Sequence, residues 1–163
     1  MNECARVVAS PIGGICLVAN AAGLTHVEFF ERHESVAAGT GDAGAEAHLD
    51  DAAMQLEEYF AGERRVFDVA LDPVGTAFQL DAWRVLRTIP FGSTITYGDQ
   101  AIAMGAPRAV RAVGGANGRN PLAIVVPCHR VIGAGGRLTG YASGIERKAW
   151  LLEHERTVLL KQK

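Results

Sequence analysis

The stretch Ile124-Val125-Val126-Pro127-Cys128-His129-Arg130-Val131-Ile132 decides how the chain is read. Apolar residues run up to Pro127 and resume after Arg130, with a thiol, an imidazole and a guanidinium between them. A cysteine so enclosed is reached from a pocket, not across open solvent. A neighbouring basic group would raise its thiolate fraction from a free pKa of about 8.5. A second reading stays open: a buried cysteine at a strand end, with His129 satisfied by hydrogen bonds. Side chains at adjacent positions often diverge, so the sequence does not itself place Cys128 against His129.

The chain has 163 residues, 48% of them hydrophobic, enough for a core without covalent staples. Three cysteines, Cys4, Cys16 and Cys128, make no disulfide framework and suit a reducing compartment. No apolar signal core opens the sequence and no apolar run is long enough to span a bilayer, so a cytoplasmic protein with no membrane partner is expected. The net charge of −2 hides an asymmetry. Residues 1–106 carry 6 basic and 15 acidic side chains, net −9, whereas residues 107–163 carry 10 basic and 3 acidic, net +7. Such a basic C-terminal part can attract a polyanion. A solvated basic helix accounts for the charge equally well.

Outward from the central stretch, residues 5–9, 15–19 and 24–30 read as strands separated by Ser10-Pro11-Ile12-Gly13-Gly14 and Asn20-Ala21-Ala22-Gly23, an antiparallel meander. Residues 35–44 read as a loop, with Asp42 near the start of a helix carrying Leu49, Ala52, Ala53, Leu56, Tyr59 and Phe60 and ending at Gly62. Residues 66–70 read as one more strand. Cys4, Cys16, His26 and His33 match no compact zinc-finger spacing, and no metal site is expected.

After a boundary near Leu71-Asp72-Pro73-Val74-Gly75, Thr76 is a plausible cap for a helix with Phe78, Ala82, Val85, Leu86 and Ile89 inward and Trp83 packed nearby. Thr96 and Asp99 resemble a weak capping box opening a short helix through Met104. Residues 108–116 read as another helix, with Arg108 and Arg111 on one face and ending near Gly118. Helix, turn, helix with a basic face is a DNA-binding layout, or equally a structural hairpin. The Gly114-Gly115 pair costs helicity and needs a reason: close approach to a partner, or a helix end. Residues 122–126 read as extended and 133–136 as a flexible loop. The last helix starts near Gly144, anchored by Ile145, Ala149, Leu152, Trp150 and Leu151. Glu155 either turns back toward His129 or lies exposed beside Arg156.

Pro127-Cys128-His129-Arg130-Val131, preceded by Arg119-Asn120-Pro121 and followed by Gly140-Tyr141, Arg147-Lys148, Trp150-Leu151-Leu152 and His154-Glu155, resembles the O6-alkylguanine-DNA alkyltransferases, also called methylated-DNA–protein-cysteine methyltransferases. Pro90-Phe91-Gly92, Thr96-Tyr97 and Val110-Arg111-Ala112-Val113-Gly114-Gly115 extend the likeness over most of residues 76–155. The resemblance implies an α/β protein: a small strand-rich N-terminal α/β domain with linker, 1–75, and a mainly helical alkyltransferase domain with a helix-turn-helix, 76–163.

By the same resemblance Cys128 is the alkyl acceptor, used once and without a cofactor. His129 is the base acting through a water, Glu155 orients it, and Asn120 braces the loop. Tyr97 helps rotate the nucleotide and protonates the leaving guanine. Arg111 is the finger that fills the vacated base space, with Arg108, Ala112, Gly114 and Arg119 at the DNA. Val131, Tyr141 and Ala142 line the pocket, Ala142 standing where some members carry serine. Asn20 and Thr25 occupy two positions where some relatives hold zinc, so that site is expected to be absent. The implied partner is double-stranded DNA containing O6-alkylguanine, met by a bacterial, cytoplasmic monomer, with O4-alkylthymine a further possible substrate. The competing readings are an alkyltransferase-like binding protein, against which Cys128 argues directly, and redox or hydrolase chemistry, for which no CxxC pair or peptide-binding signature exists.

Overall fold

The computed structural model describes residues 3–30 and 41–161. The expectations for His33 and for the loop over 35–40 lie outside the described residues. Contacts divide the chain into two units, Met1–Val74 with Pro121–Ala123, and Gly75–Asn120 with Ile124–Lys163.

In the first unit β1 (Cys4–Val8), β2 (Gly14–Ala19) and β3 (Leu24–Phe30) form an antiparallel sheet in that order, as the meander reading expects. Burial alternates along β2, with Ile15, Leu17 and Ala19 inward, the period of two that a half-buried strand requires.

 Ala19 therefore sits on the same inner face as Leu17. Helix α1 (Ala43–Phe60) buries Ala45, Leu49, Ala52, Leu56 and Tyr59, a stripe spaced four and three residues apart. Asp42 caps it by accepting the Ala45 N–H at 2.9 Å, and Gly62, at φ +79°, ends it by donating to the Tyr59 carbonyl.

Residues 66–70 are not a strand, contrary to the reading of their apolar run. The Asp68 N–H is taken by the Gln55 side chain, and Val66 and Val74 are exposed, with no sheet face to cover them. Only Leu71 bridges β3, at Leu24. Asn20 accepts from the Ala22 and Gly23 N–H groups and donates to Asp72, while Thr25 donates to the Val18 carbonyl. Both side chains hold the meander's second turn and strand. Among the described residues no cluster of His, Cys, Asp and Glu is fit to hold a metal.

In the second unit Thr76 and Gln79 form a capping box that opens α2 (Ala77–Leu86), with Ala82, Trp83, Val85 and Leu86 buried. The Thr96–Asp99 box opens α3 (Tyr97–Ala103), and after a turn comes α4 (Val110–Gly118). Two residue pairs of β4 (Ile95–Thr96) and β5 (Val131–Ile132) run parallel. Helix α5 (Ile145–Lys161) closes the unit. Buried polar bonds fix α4: Trp83 Nε1 donates to the Ala116 carbonyl at 2.9 Å, and Gln100 and Asn117 exchange amide hydrogen bonds at 3.0 and 2.7 Å.

Four local readings change. Arg108 lies in the turn before α4, so it does not share a helix face with Arg111; Pro107, with no N–H and a fixed φ, falls in that turn. Residues 122–126 form a turn in which Ile124 takes φ +70°, and only Leu122 makes a strand-like bridge. Residues 134–136 wind into a single 3-10 turn. The buried face of α5 is Lys148, Leu151, Glu155 and Val158, whereas Ile145 is 42% exposed. No helix among the described residues is long and apolar enough to cross a membrane.

Replacing Asn117 with Ala leaves the buried Gln100 carbonyl oxygen without its donor. Urea unfolding should show a loss of about 1–3 kcal/mol, and an unchanged midpoint would mean that the amide pair is dispensable.

Candidate active site

Cys128 opens a 3-10 turn, Cys128–Arg130, that runs directly into β5. It is not at a strand end, because the turn precedes the first paired residue. The approach to it is shaped by Ile124, the one non-glycine residue with positive φ among the described residues. A β-branched side chain in that region costs of order 1–3 kcal/mol, which the surrounding packing must hold in place. Asn120 Nδ2 donates to the Val126 carbonyl at 2.8 Å, and the Cys128 N–H donates to the same oxygen at 2.8 Å. The tie expected of Asn120 is therefore a bond to the backbone two residues ahead of the thiol.

Glu155 is the centre of the site. Its side chain is fully buried, and four donors converge on it: His129 Nε2 at 2.7 Å, Arg130 Nε at 2.9 Å, Arg130 Nη2 at 3.1 Å and the Gly92 N–H at 2.9 Å. The Pro90-Phe91-Gly92 turn supplies the last of these. Gly92 has φ +80°, a left-handed conformation that favours glycine, and a Cβ there would collide with the Leu159 side chain of α5, so glycine brings that N–H to the carboxylate without backbone strain or a shift of that side chain. Burial by itself pushes the Glu155 carboxyl up, but the hydrogen bonds and charges of His129 and Arg130 reverse this and hold it well below the usual carboxylate range.

An ionised carboxylate only accepts, so the His129 Nε2 carries the proton it donates. Burial pushes the imidazole's pKa down, and the charges of Arg130 and Lys148 add to this against the opposing pull of Glu155. The neutral ring then has its lone pair on Nδ1. That atom is buried and has no hydrogen-bond partner among the described residues. The arrangement is a base with its tautomer fixed from behind and its reactive nitrogen unoccupied.

The thiol itself is pushed up by burial, while the Asn120 hydrogen bond and the charge of Lys148 act to lower it. It rests as a thiol and needs a base to become a nucleophile. Tyr97, the first residue of α3, donates to the Thr139 carbonyl at 3.0 Å, and burial raises its pKa. Tyr141 has a buried hydroxyl without a partner among the described residues, and its pKa lies well above the ordinary value because of burial and the thiol's charge. Val131 is fully buried in β5 opposite Ile95, and Ala142 is exposed beside Tyr141.

The expected DNA residues fall elsewhere in the unit. Arg111 and Ala112 are exposed on α4, Arg119 follows it, and Gly114 is partly covered. Arg108, Arg111 and Arg119 make no ion pair among the described residues. Gly114 and Gly115 lie inside α4, not at its end, and a Cβ at Gly115 would meet nothing within 4 Å, while one at Gly114 would meet only the Tyr97 ring, at 4.0 Å.

Two residues of the site escaped the sequence reading of roles. Arg130 turns inward, gripping Glu155 and the Ile89 carbonyl with its guanidinium 5.7 Å from the Phe91 ring centre. Lys148 is fully buried on α5. For Lys148 the signal was present: Lys148, Leu151, Glu155 and Val158 repeat at helical spacing, but a stripe that includes a cation and an anion is invisible when only apolar residues are counted.

Glu155→Gln should cost about 3–5 kcal/mol of stability, because Arg130 remains buried without its counter-charge. Adding Arg130→Met should recover much of that loss without restoring the chemistry of His129. Denaturant unfolding of the single and double variants decides; equal stability of Glu155→Gln and the wild type would remove Glu155 from the centre of the site.

Comparison with known proteins follows the same division. Residues 77–157 match the family model described as the 6-O-methylguanine DNA methyltransferase DNA binding domain, and residues 5–73 match that family's ribonuclease-like domain. The chain is 51% identical to a methylated-DNA–protein-cysteine methyltransferase of Methanosarcina acetivorans, over 90% of this chain and 94% of the relative. It is 51% identical to another from Mycobacterium bovis, over 93% and 92%. A crystal structure of Mycobacterium tuberculosis OGT in complex with DNA superposes with a TM-score of 0.84 at 50% identity, covering 94% of this chain and 93% of that one. With both halves matched and half of the residues identical across nearly the whole length, the chain belongs to the 6-O-methylguanine DNA methyltransferase family, the methylated-DNA–protein-cysteine methyltransferases.

Proposed function

We propose that this protein repairs DNA directly, taking the alkyl group from O6 of guanine onto Cys128 and keeping it there. The observation that carries the reading is the buried Glu155–His129 pair, which leaves a bare imidazole nitrogen on the turn that bears the cysteine. His129 Nδ1 takes the thiol proton through a water. The thiolate then attacks the alkyl carbon, the S–C bond forming as the C–O6 bond breaks with its electron pair going to the guanine. Tyr97 supplies a proton to guanine N3, and the proton taken from the thiol restores the balance by way of solvent. The product is a thioether with no leaving route, so each molecule acts once and needs no cofactor. Asn120 holds the loop, Tyr141 and Val131 face the base, and Ala142 leaves O6 recognition to backbone N–H groups.

The chemistry belongs to residues 76–163, with residues 1–75 a separate N-terminal domain. In this reading α3 and α4 form a helix-turn-helix whose second helix meets duplex DNA. The target base must leave the stack to reach a recessed thiol, and Arg111 fills the gap from the minor groove. Two mid-helix glycines that no neighbour in the chain requires support this placement, because a side chain there would stand between α4 and the DNA backbone. Ala112, Arg108 and Arg119 flank the same contact. Thiol, relay and basic residues share one unit, so a monomer in the cytoplasm suffices.

The test of the activity is intact mass. On mixing with a duplex containing O6-methylguanine, the wild type should gain one methyl group per molecule, at Cys128, and then stop. Cys128→Ala should gain none while still binding the duplex; an adduct on Cys4 or Cys16, or repeated turnover, would overturn the assignment.

The DNA face gives a second outcome. Gly115→Ala should stabilise the free protein by about 0.5–1 kcal/mol yet weaken duplex binding, read as a thermal shift against a dissociation constant. Arg111→Ala should slow transfer from duplex DNA far more than from free O6-benzylguanine, where no base is flipped. Equal fractional losses on the two substrates would reject the finger role.

A further inference from the structure

Lys148 has no place in the scheme above, yet its side chain is fully buried. A buried ammonium is costly unless something uses it. Its Nζ donates to the Thr139 carbonyl at 2.9 Å and lies 5.8 Å from the Tyr97 ring centre. Tyr97 donates its hydroxyl to the same Thr139 carbonyl at 3.0 Å and lies 3.4 Å from that of Gly140. One backbone oxygen thus receives both a cationic and a phenolic donor, and it sits two residues before Tyr141. Among the described residues no carboxylate pairs with this ammonium, in contrast to Arg130. Seven residues separate Lys148 from Glu155 on the buried face of α5, so the helix presents a cation and an anion to the same site two turns apart.

We propose that Lys148 is a positioning residue for alkyl transfer: its ammonium pins the Thr139 carbonyl beside Tyr97 and supplies the fixed positive charge that favours the Cys128 thiolate. The inference rests on the reading of Cys128 as the acceptor. The charges of Lys148 and Cys128 act on each other, lowering the thiol's pKa and raising the lysine's against the effect of burial. The other titratable or charged groups around the thiol are His129 and Arg130 on its own turn, Tyr97 on α3, Tyr141 in the loop before α5, and Glu155 on α5, with Arg147 of α5 acting on Tyr141. Arg130 is paired with Glu155, and among the described residues Lys148 is the cation whose charge acts on the thiol. The same charge favours Tyr97 as it gives up its proton to the leaving base, since a tyrosinate beside an ammonium is less costly than one alone.

The test compares Lys148→Met, Lys148→Gln and Lys148→Arg in the full chain. Two rates are followed: benzyl transfer from free O6-benzylguanine, and the pH profile of iodoacetamide alkylation at Cys128, read on the Cys128 peptide by mass. Near-UV circular dichroism confirms folding. Both Lys148→Met and Lys148→Gln should move the alkylation midpoint up by about one pH unit and slow transfer about tenfold. Lys148→Arg, which keeps the charge, should recover most of both. Gln is the deciding variant if Met fails to fold, because it keeps a donor for Thr139 but has no charge. An unmoved midpoint in folded Lys148→Gln overturns the proposal. A wild type that takes no benzyl group would instead overturn the acceptor role, and the alkylation profile would still decide the role of Lys148.

Discussion

The site depends on one fully buried carboxylate. Glu155 accepts from a ring nitrogen, from two nitrogens of a guanidinium and from a backbone N–H, and each bond fixes a different piece of chain. The Arg130 bonds set the turn after the thiol, the Gly92 bond sets the loop after α2, and the His129 bond sets the tautomer of the base. A buried anion is tolerable only when its lone pairs are filled, so these pieces are required together. The arginine is thus the counter-ion that keeps Glu155 ionised, leaving the histidine neutral and able to accept a proton.

The thiol is held in a state that does not react unprompted. Burial raises its pKa, the base beside it is neutral, and its loop passes through a left-handed isoleucine braced by Asn120. A nucleophile consumed by its first reaction gains from this restraint, because a free thiolate would be spent on any passing electrophile. Recessing the thiol has a geometric consequence, since a base in a duplex cannot reach it while stacked. A flipped nucleotide in turn needs a helix able to lie close to the backbone. In the proposed reading the glycines within α4 allow that approach, and the Gln100–Asn117 and Trp83–Ala116 bonds keep the helix in place.

Much was legible in the sequence where local chemistry decides. The meander followed from alternating burial and two turn-forming clusters. The caps at Asp42, Thr76 and Thr96 are side chains serving their own backbone, so spacing alone locates them. Where distant groups compete, the sequence misled. The run at 66–70 has strand composition, but a glutamine from α1 takes one of its donors. The inward face of α5 was read through its apolar residues, and the burial of Lys148 on that face was missed.

By itself the sequence determined which residues are candidates for the chemistry: the Pro-Cys-His-Arg text, the acid late in the last helix and the basic C-terminal part are properties of order and spacing. It also determined the elements that bear them, because hydrophobic period and capping act over a few residues. Tertiary structure alone decided what each group does to the others. That Glu155 meets both His129 and Arg130, that the histidine's free nitrogen is Nδ1, and that Lys148 is buried beside Tyr97 are contacts between residues far apart in the chain. Charge and protonation follow from burial and from partners a few ångströms away, and the linear sequence specifies neither until the chain has folded.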